Sequence, residues 1–151
     1  MNRSRSAFVF VLILALALPA LAADRGAKSV DAAWMKAMKA NDLEGIMACY
    51  AADAELWLPG APEASGAKAI RALYQGFFAA NTVQSVATTD LHYRTSGTLS
   101  AAWGEYTLTI VPKAGGSPIT MHGRFTEVAT LQDGHWVYIA DHASADPEAA
   151  K

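Results

Sequence analysis

Four side chains in the C-terminal half, Tyr106, His122, Arg124 and Asp141, are of types that perform acid–base and anion chemistry. An imidazole or a carboxylate can take a proton from a small organic molecule; a phenol or a guanidinium can hold a carboxylate, a carbonyl or a developing oxyanion. Their spacing places them on one surface if the chain around them is a β-meander, since alternate strand residues face the same way. A two-residue turn at Asp133-Gly134 sets Leu131 opposite Trp136, Val128 opposite Ile139 and Thr126 opposite Asp141. One face then carries His122, Arg124, Thr126, Val128, Val137, Ile139 and Asp141. The other carries Phe125, Glu127, Leu131, Trp136, Tyr138 and His142. Pairing Val111 with Ile119 brings Tyr106 opposite Arg124. The alternation of Tyr106, Leu108 and Ile110 with Glu105, Thr107 and Thr109 then makes the first set the inner one.

Polar groups on an apolar inner face need partners. Two readings of Arg124 and Asp141 stay open: a structural ion pair closing the open end of the sheet, or a ligand-binding or catalytic cluster with His122 and Tyr106 at a pocket mouth. In the second, His122 or Asp141 is the candidate catalytic base, and Tyr106 and Arg124 meet the ligand. Trp34, Tyr50 and Trp57 are packing residues or aromatic walls for an apolar ligand. The outer face, with Phe125, Leu131, Trp136 and Tyr138, is too apolar to leave wet and predicts a homodimer packed through the convex side of the sheet.

The elements that must position these residues divide into helices first and strands second. Val30, Trp34 and Met38 recur at helical spacing in a first helix ending near Ala40. Asn41 is placed to cap a second, with Glu44 completing a capping box and Leu43, Ile46, Met47 and Tyr50 forming its stripe. Glu55 to Leu58 reads as a short strand stopped by Pro59-Gly60. Ser65 is placed to cap a third helix with the stripe Ile70, Leu73, Tyr74 and Phe77. Four strands follow, Val83 to Thr95, Leu99 to Val111, Ile119 to Leu131 and His135 to Ser144, separated by glycine-containing turns. This order predicts an α+β domain with helices on one face of a curved antiparallel sheet.

Composition narrows the classes further. In 151 residues, 52% are hydrophobic and 17% charged, which excludes a disordered chain. A formal charge of −2 gives no reason to bind nucleic acid, and one cysteine excludes an internal disulfide framework. Cys49 reads as buried packing. The mean hydropathy of +0.15 is high for a soluble domain of this size. Its source is the N-terminus, where Arg3 and Arg5 precede the apolar run Ala7–Leu18, then Pro19 and Ala20-Leu21-Ala22. That is the layout of a secretory signal peptide. The expected organisation is a signal peptide at 1–23, a domain at 24–145 and a polar tail at 146–151. Cleavage takes the formal charge to −4 by removing both arginines, and the mature protein is expected outside the cell or in the periplasm, off the membrane. No HExxH spacing, calcium-type carboxylate cluster, Gly-x-Ser-x-Gly elbow or phosphate-binding glycine loop occurs, so no cofactor or metal is expected.

Several short stretches, taken in order, resemble the nuclear transport factor 2-like superfamily, and within it the SnoaL-like and ketosteroid-isomerase-like small domains. They are Asn41-Asp42-Leu43-Glu44-Gly45-Ile46, Tyr50-Ala51-Ala52-Asp53-Ala54, Pro59-Gly60, Gly66 to Arg71, Gly104-Glu105-Tyr106, Asp133-Gly134-His135-Trp136 and Asp141-His142-Ala143-Ser144. The last also resembles the association domain of calmodulin-dependent kinase. The resemblance implies a cone-shaped fold, with three N-terminal helices on the concave face of the sheet and one enclosed pocket. It implies no single reaction, because the superfamily hosts isomerases, dehydratases, cyclases, epoxide hydrolases and non-enzymes. Leu58 stands where the resemblance places the ketosteroid isomerase base, and Trp34 where it places a tyrosine donor; both count against steroid isomerisation. The resulting expectation is an exported domain binding a small apolar or carboxylate-bearing molecule in an apolar pocket with a polar Arg/His/Asp/Tyr cluster, catalysis being left open. The alternative is a cofactor-independent, dehydratase-like lyase or isomerase acting on a small cyclic or carbonyl substrate.

Overall fold

A computed structural model describes residues 25–146. The expected signal peptide and most of the polar tail lie outside the described residues. Helix α1 (Ala27–Ala40) is followed by α2 (Leu43–Met47), β1 (Tyr50–Trp57), β2 (Ala64–Ser65) and α3 (Gly66–Ala80). The long strands β3 (Asn81–Ser96), β4 (Leu99–Pro112), β5 (Ile119–Gln132) and β6 (His135–Ala145) complete the chain. They form one curved, open sheet of six strands in the order β2-β1-β6-β5-β4-β3. The α+β architecture is the expected one. The sheet is mixed rather than wholly antiparallel, because β1 runs parallel to β6.

Helix α1 packs across β3 to β6, and α3 against β1 and β3, all on one face. The start of α1 is anchored to the sheet. The Ala27 amide donates to the buried Ser100 Oγ at 2.9 Å, and that hydroxyl also meets Thr95 Oγ1 at 2.8 Å. Asn41 ends α1 in the left-handed region, at φ 52°, rather than opening α2. Its Oδ1 accepts from the Val83 amide at 2.9 Å, joining the helix end to β3. The N-cap of α2 is Asp42, accepting from the Gly45 amide at 3.0 Å. This short helix stops at Met47, so Tyr50, expected on its stripe, opens β1 instead. Glu44 forks onto the Arg71 guanidinium at 2.5 and 2.8 Å, tying α2 to α3. Ser65 precedes α3 without a side-chain capping bond. Among the described residues, no helix is long and apolar enough to cross a membrane.

The register decides which strand residues reach the core. Across the glycine-rich hairpin Ile110 pairs with Ile119, so Tyr106 faces Gly123 and Arg124 faces Glu105. The expected pairing was one residue away, and a one-residue slip turns every side chain of a strand to the other face. The β5–β6 hairpin begins as expected, with Leu131 opposite Trp136 and a turn in which Asp133 and Gly134 both have positive φ. Beyond Ala129, which pairs with Tyr138, the ladder shifts: Val128 faces Ala140, Glu127 faces Asp141 and Thr126 faces His142. Ile139 is the additional residue of a β-bulge.

The two displacements reverse the expected faces of β5. Phe125, Glu127 and Ala129 are buried beneath the helices, as are Tyr138 and Asp141 of β6. His122 and Arg124 face away. The predicted outer patch is therefore corrected: Phe125 and Tyr138 belong to the core, and they no longer supply a reason for a dimer through the convex face. The large apolar side chains that remain exposed include Leu99, Trp103 and Ile119.

Gly123 gives a direct check on this register. A Cβ there would collide with the Ser144 carbonyl and come within 2.7 Å of the Tyr106 ring. The neighbours include backbone, so they cannot simply step aside. Gly123→Ala is expected to cost about 1–3 kcal/mol, the usual scale of overpacking, measured as a lower midpoint in urea unfolding. An unchanged midpoint would contradict the pairing of Tyr106 with Gly123.

Candidate functional site

Between the helices and the sheet lies a cavity of about 760 Å³. Its walls are largely apolar, with Trp34, Met38, Leu73, Phe77, Leu108 and Met121 among the lining residues. The carboxyl groups of Asp31, Glu127 and Asp141 all border it, and all three residues are at least nine-tenths buried. They come from three elements. Asp31 lies on α1, one turn before Trp34 and on the same side as Met38, so the helix that buries those residues buries the acid too. Glu127 follows Phe125 on the inward side of β5. Asp141 lies three residues after Tyr138 on β6; strict alternation would send the two apart, and the Ile139 bulge turns both inward.

Hydroxyl groups hold two of these acids. Tyr138 donates to Asp31 Oδ1 at 2.7 Å and Tyr93 donates to Oδ2 at 2.9 Å. Tyr50 donates to Asp141 Oδ2 at 2.5 Å. A phenol has one proton, so at the 2.9 Å contact between Tyr50 and Tyr74 the donor is Tyr74. Trp34 Nε1 then donates to the Tyr74 oxygen at 3.1 Å. The chain Trp34, Tyr74, Tyr50, Asp141 thus runs in one direction and ends on a carboxylate. The third acid is different: Glu127 Oε2 is buried without a hydrogen-bond partner.

Protonation follows from this geometry. Burial disfavours the charged form of Glu127 and, with Asp141 and Asp31 beside it, holds its pKa well above the carboxylate range. Burial also pushes Asp141 up to about 6, against the opposing effect of the Tyr50 hydrogen bond. Burial raises the Tyr50 and Tyr138 phenols well above their ordinary value, so they act as donors rather than phenolates. Cys49 is buried, with Sγ 3.4 Å from the Gly45 carbonyl, and burial pushes its thiol up to about 12, which suits packing. Among the described residues, no group of three His, Cys, Asp or Glu is arranged to hold a metal ion.

The residues singled out from sequence divide. Asp141, Tyr50 and Trp34 join the network, and Tyr106 lines the cavity, its phenol pKa raised first by burial. Trp57 is half-buried on β1 and does not line the cavity. His122 borders the rim, but its ring contacts Thr107 Oγ1 at 3.1 Å on the exposed side. Arg124 does not pair with Asp141. Its side chain is 66% exposed, with Nε 3.6 Å from Asp146, so the proposed Arg124–Asp141 bridge is replaced by a surface contact. Sequence reasoning missed Asp31, Tyr74, Tyr93, Glu127 and Tyr138. Asp31 carried a readable signal, an acid at i relative to Trp34 and Met38 at i+3 and i+7 on a buried stripe.

Stability should report the cluster. The ordinary pKa of Asp141 is 3.8 and the folded value about 6, so between them the folded protein holds more protons than the unfolded chain. Glu127 acts in the same direction. The sign of the linkage is then fixed: stability rises as pH falls through that window, and the burial penalty is complete above it. Calorimetry is expected to give a higher Tm near pH 5 than near pH 7.5, with a smaller difference in Glu127→Gln. A Tm that falls on acidification over this range would contradict the burial of these acids.

Comparison with known proteins agrees with this architecture. The family model of the SnoaL-like domain matches residues 32–139. A protein from Xanthomonas campestris, provisionally assigned as a calcium/calmodulin dependent protein kinase II association domain, superposes with a TM-score of 0.71 and 25% identity over 88% of this chain and 94% of that one. A provisionally assigned scytalone dehydratase from Novosphingobium aromaticivorans gives 0.73 at 13% identity, covering 82% and 83%. A ketosteroid isomerase-like protein from Erwinia carotovora atroseptica gives 0.69 at 20% identity, covering 79% and 93%. The last two are likenesses of fold. No curated protein matches the chain. With its sheet, helices and cavity as described and the family model spanning most of its length, the chain belongs to the SnoaL-like domain family, within the nuclear transport factor 2-like superfamily.

Proposed function

We propose that this domain is a cofactor-independent lyase or isomerase that moves a proton on a small, largely apolar molecule held in the cavity. The observation that carries the reading is Glu127, a cavity-lining acid whose Oε2 is buried with no hydrogen-bond partner. An unpaired buried carboxyl oxygen costs stability, and a native fold retains one mainly where a ligand or a reaction uses it.

The division of labour follows from the surroundings of each acid. Asp141, ionised through the Tyr50 contact and opposite Glu127 in the ladder, is the base that removes a proton from carbon beside a carbonyl, or from carbon beside a leaving hydroxyl. Glu127, which keeps its proton, donates to the substrate oxygen. In the isomerase case the electron pair forms the enol, after which Asp141 returns its proton to carbon and Glu127 retakes one from oxygen. In the lyase case the pair forms the new double bond as the protonated hydroxyl leaves as water, and the proton on Asp141 passes to Glu127 to reset the site. Tyr74 and Trp34 act behind Tyr50 and steady the charge on Asp141. The kind of chemistry fits the dehydratase-like and isomerase-like names among the structural relatives. Export follows from the leader-like segment at 1–23 and belongs to the same proposal.

Deuterium exchange tests it. In deuterated buffer, NMR should detect enzyme-dependent exchange of hydrogens beside the carbonyl in small cyclic ketones. Glu127→Gln and Asp141→Asn should each slow it by about 10²- to 10⁴-fold, the usual scale of a positioned acid or base. Saturable binding without exchange would instead support a binding domain; exchange undiminished in both variants would remove these acids from the mechanism.

A further inference from the structure

The charge around the cavity is one-sided. Three carboxyl groups border it, and among the described residues neither lysine nor arginine lines it. Buried acids are normally balanced by a cation, since an uncompensated buried charge is expensive. Here the hydrogen-bond partners of Asp31 and Asp141 are neutral phenols and, at Asp31, the carboxyl group of Glu127. Arg124, expected to receive a ligand carboxylate, is turned to the outer surface beside Asp146. An anionic ligand would therefore meet three acids, with His122 at the rim the one basic side chain among the described lining residues.

A cationic ligand meets the opposite conditions. Glu127 Oε2 is an acceptor without a donor, and each carboxylate oxygen of Asp31 and Asp141 can accept a second hydrogen bond. An ammonium group brings three donors and a positive charge, and its presence favours the ionised form of every acid in the cluster. Aromatic rings of Trp34, Tyr74, Phe77 and Tyr138 line the same space and offer faces to a cation, while the remaining walls suit a hydrocarbon body. We infer that the cavity takes a molecule carrying a protonated amine on a compact apolar frame, with the ammonium among Asp31, Glu127 and Asp141. This rests on the reading of the cavity as a ligand site and names a class of molecule it takes. An ammonium seated on Glu127 and Asp141 occupies the acid and the base, so such an amine blocks the proton transfer proposed above rather than undergoing it. The missing counter-ion of the acid cluster is thus part of the ligand, and a neutral analogue leaves the cluster as unbalanced as before.

A matched set of probes separates the inference from the reading beneath it. Phenethylamine, phenethyl alcohol and hydrocinnamate share a phenyl ring and a short chain and differ in charge. Titration calorimetry to millimolar concentrations should show phenethylamine binding at least about tenfold more tightly than the alcohol, the scale of one charge-assisted hydrogen bond, with hydrocinnamate weakest. Glu127→Gln, close in volume, should remove most of that preference, read as the ratio of the amine and alcohol affinities within each protein. Asp141→Asn serves as the second variant, and thermal unfolding confirms that both are folded. Equal binding of amine and alcohol, or tighter binding of hydrocinnamate, overturns the amine class while leaving the cavity as a ligand site. A preference that survives in both variants also overturns it. Binding of none of the three overturns the amine class and the ligand-site reading together.

Discussion

The arrangement depends on a single additional residue. Ile139 interrupts the alternation of β6, so that Tyr138 and Asp141 point to the same side of the sheet. Without it, either the phenol that holds Asp31 or the acid opposite Glu127 would lie on the outer surface. The bulge also sets Glu127 opposite Asp141, and opposed residues of neighbouring strands lie close enough for their side chains to interact. A local change of twist thereby brings acids from a helix and two strands into one volume. Strand β6 is paired to β5 on either side of the bulge, so the backbone positions of Glu127 and Asp141 are fixed by the ladder.

Holding acids with tyrosines has a different physical character from holding them with arginines. A guanidinium neutralises a carboxylate and fixes it as a carboxylate. A phenol donates one hydrogen bond, leaves the charge in place, and permits the acid to gain or lose a proton. Asp141 near 6 is what that arrangement produces: burial drives the pKa up while one short hydrogen bond restrains it. The aromatic rings also pack, with Tyr50 centred 5.4 Å from Tyr138 and 6.0 Å from Tyr74. The same side chains thus serve the apolar core and the polar cluster, which explains how an acid group can be carried so deep in a domain of this size.

The helices, the four long strands and the tight turn at Asp133-Gly134 were legible because each rests on local spacing and turn chemistry. The inner face of β4 was legible too, through Tyr106, Leu108 and Ile110. What sequence could not supply was register. The glycine-rich loop between β4 and β5 admits more than one pairing, and a slip of one residue exchanged Arg124 for Phe125 and Glu127 on the inner face. The bulge at Ile139 has no signature in residue type, since isoleucine is an ordinary strand residue. The slip between β4 and β5 is what assigned Tyr138 outward with its expected partner Ala129, whereas Asp141 was placed inward because the slip and the unseen bulge cancelled. Tyr50 and Trp34 were named as candidate walls, but their hydrogen bonds depend on Tyr74, which as part of an apolar helical stripe looked like packing alone.

The anchor at the start of α1 has a consequence for handling this protein. The helix that carries Asp31 hangs from β4 by its first amide, through Ser100 Oγ, and Gly26 reaches that bond with φ 72°, where a Cβ would strike Ser100 and Thr95. Only three residues separate the anchoring Ala27 from Asp31, the first acid of the cluster. The N-terminal boundary of a recombinant version therefore bears on the geometry of the acid cluster as well as on expression. A tag or protease scar that replaces Gly26, or a truncation into Ala27, would loosen the turn that sets how far Asp31 projects between Tyr93 and Tyr138. Such a preparation could fold and still present a mispositioned acid, and its inactivity would be misread as evidence about chemistry.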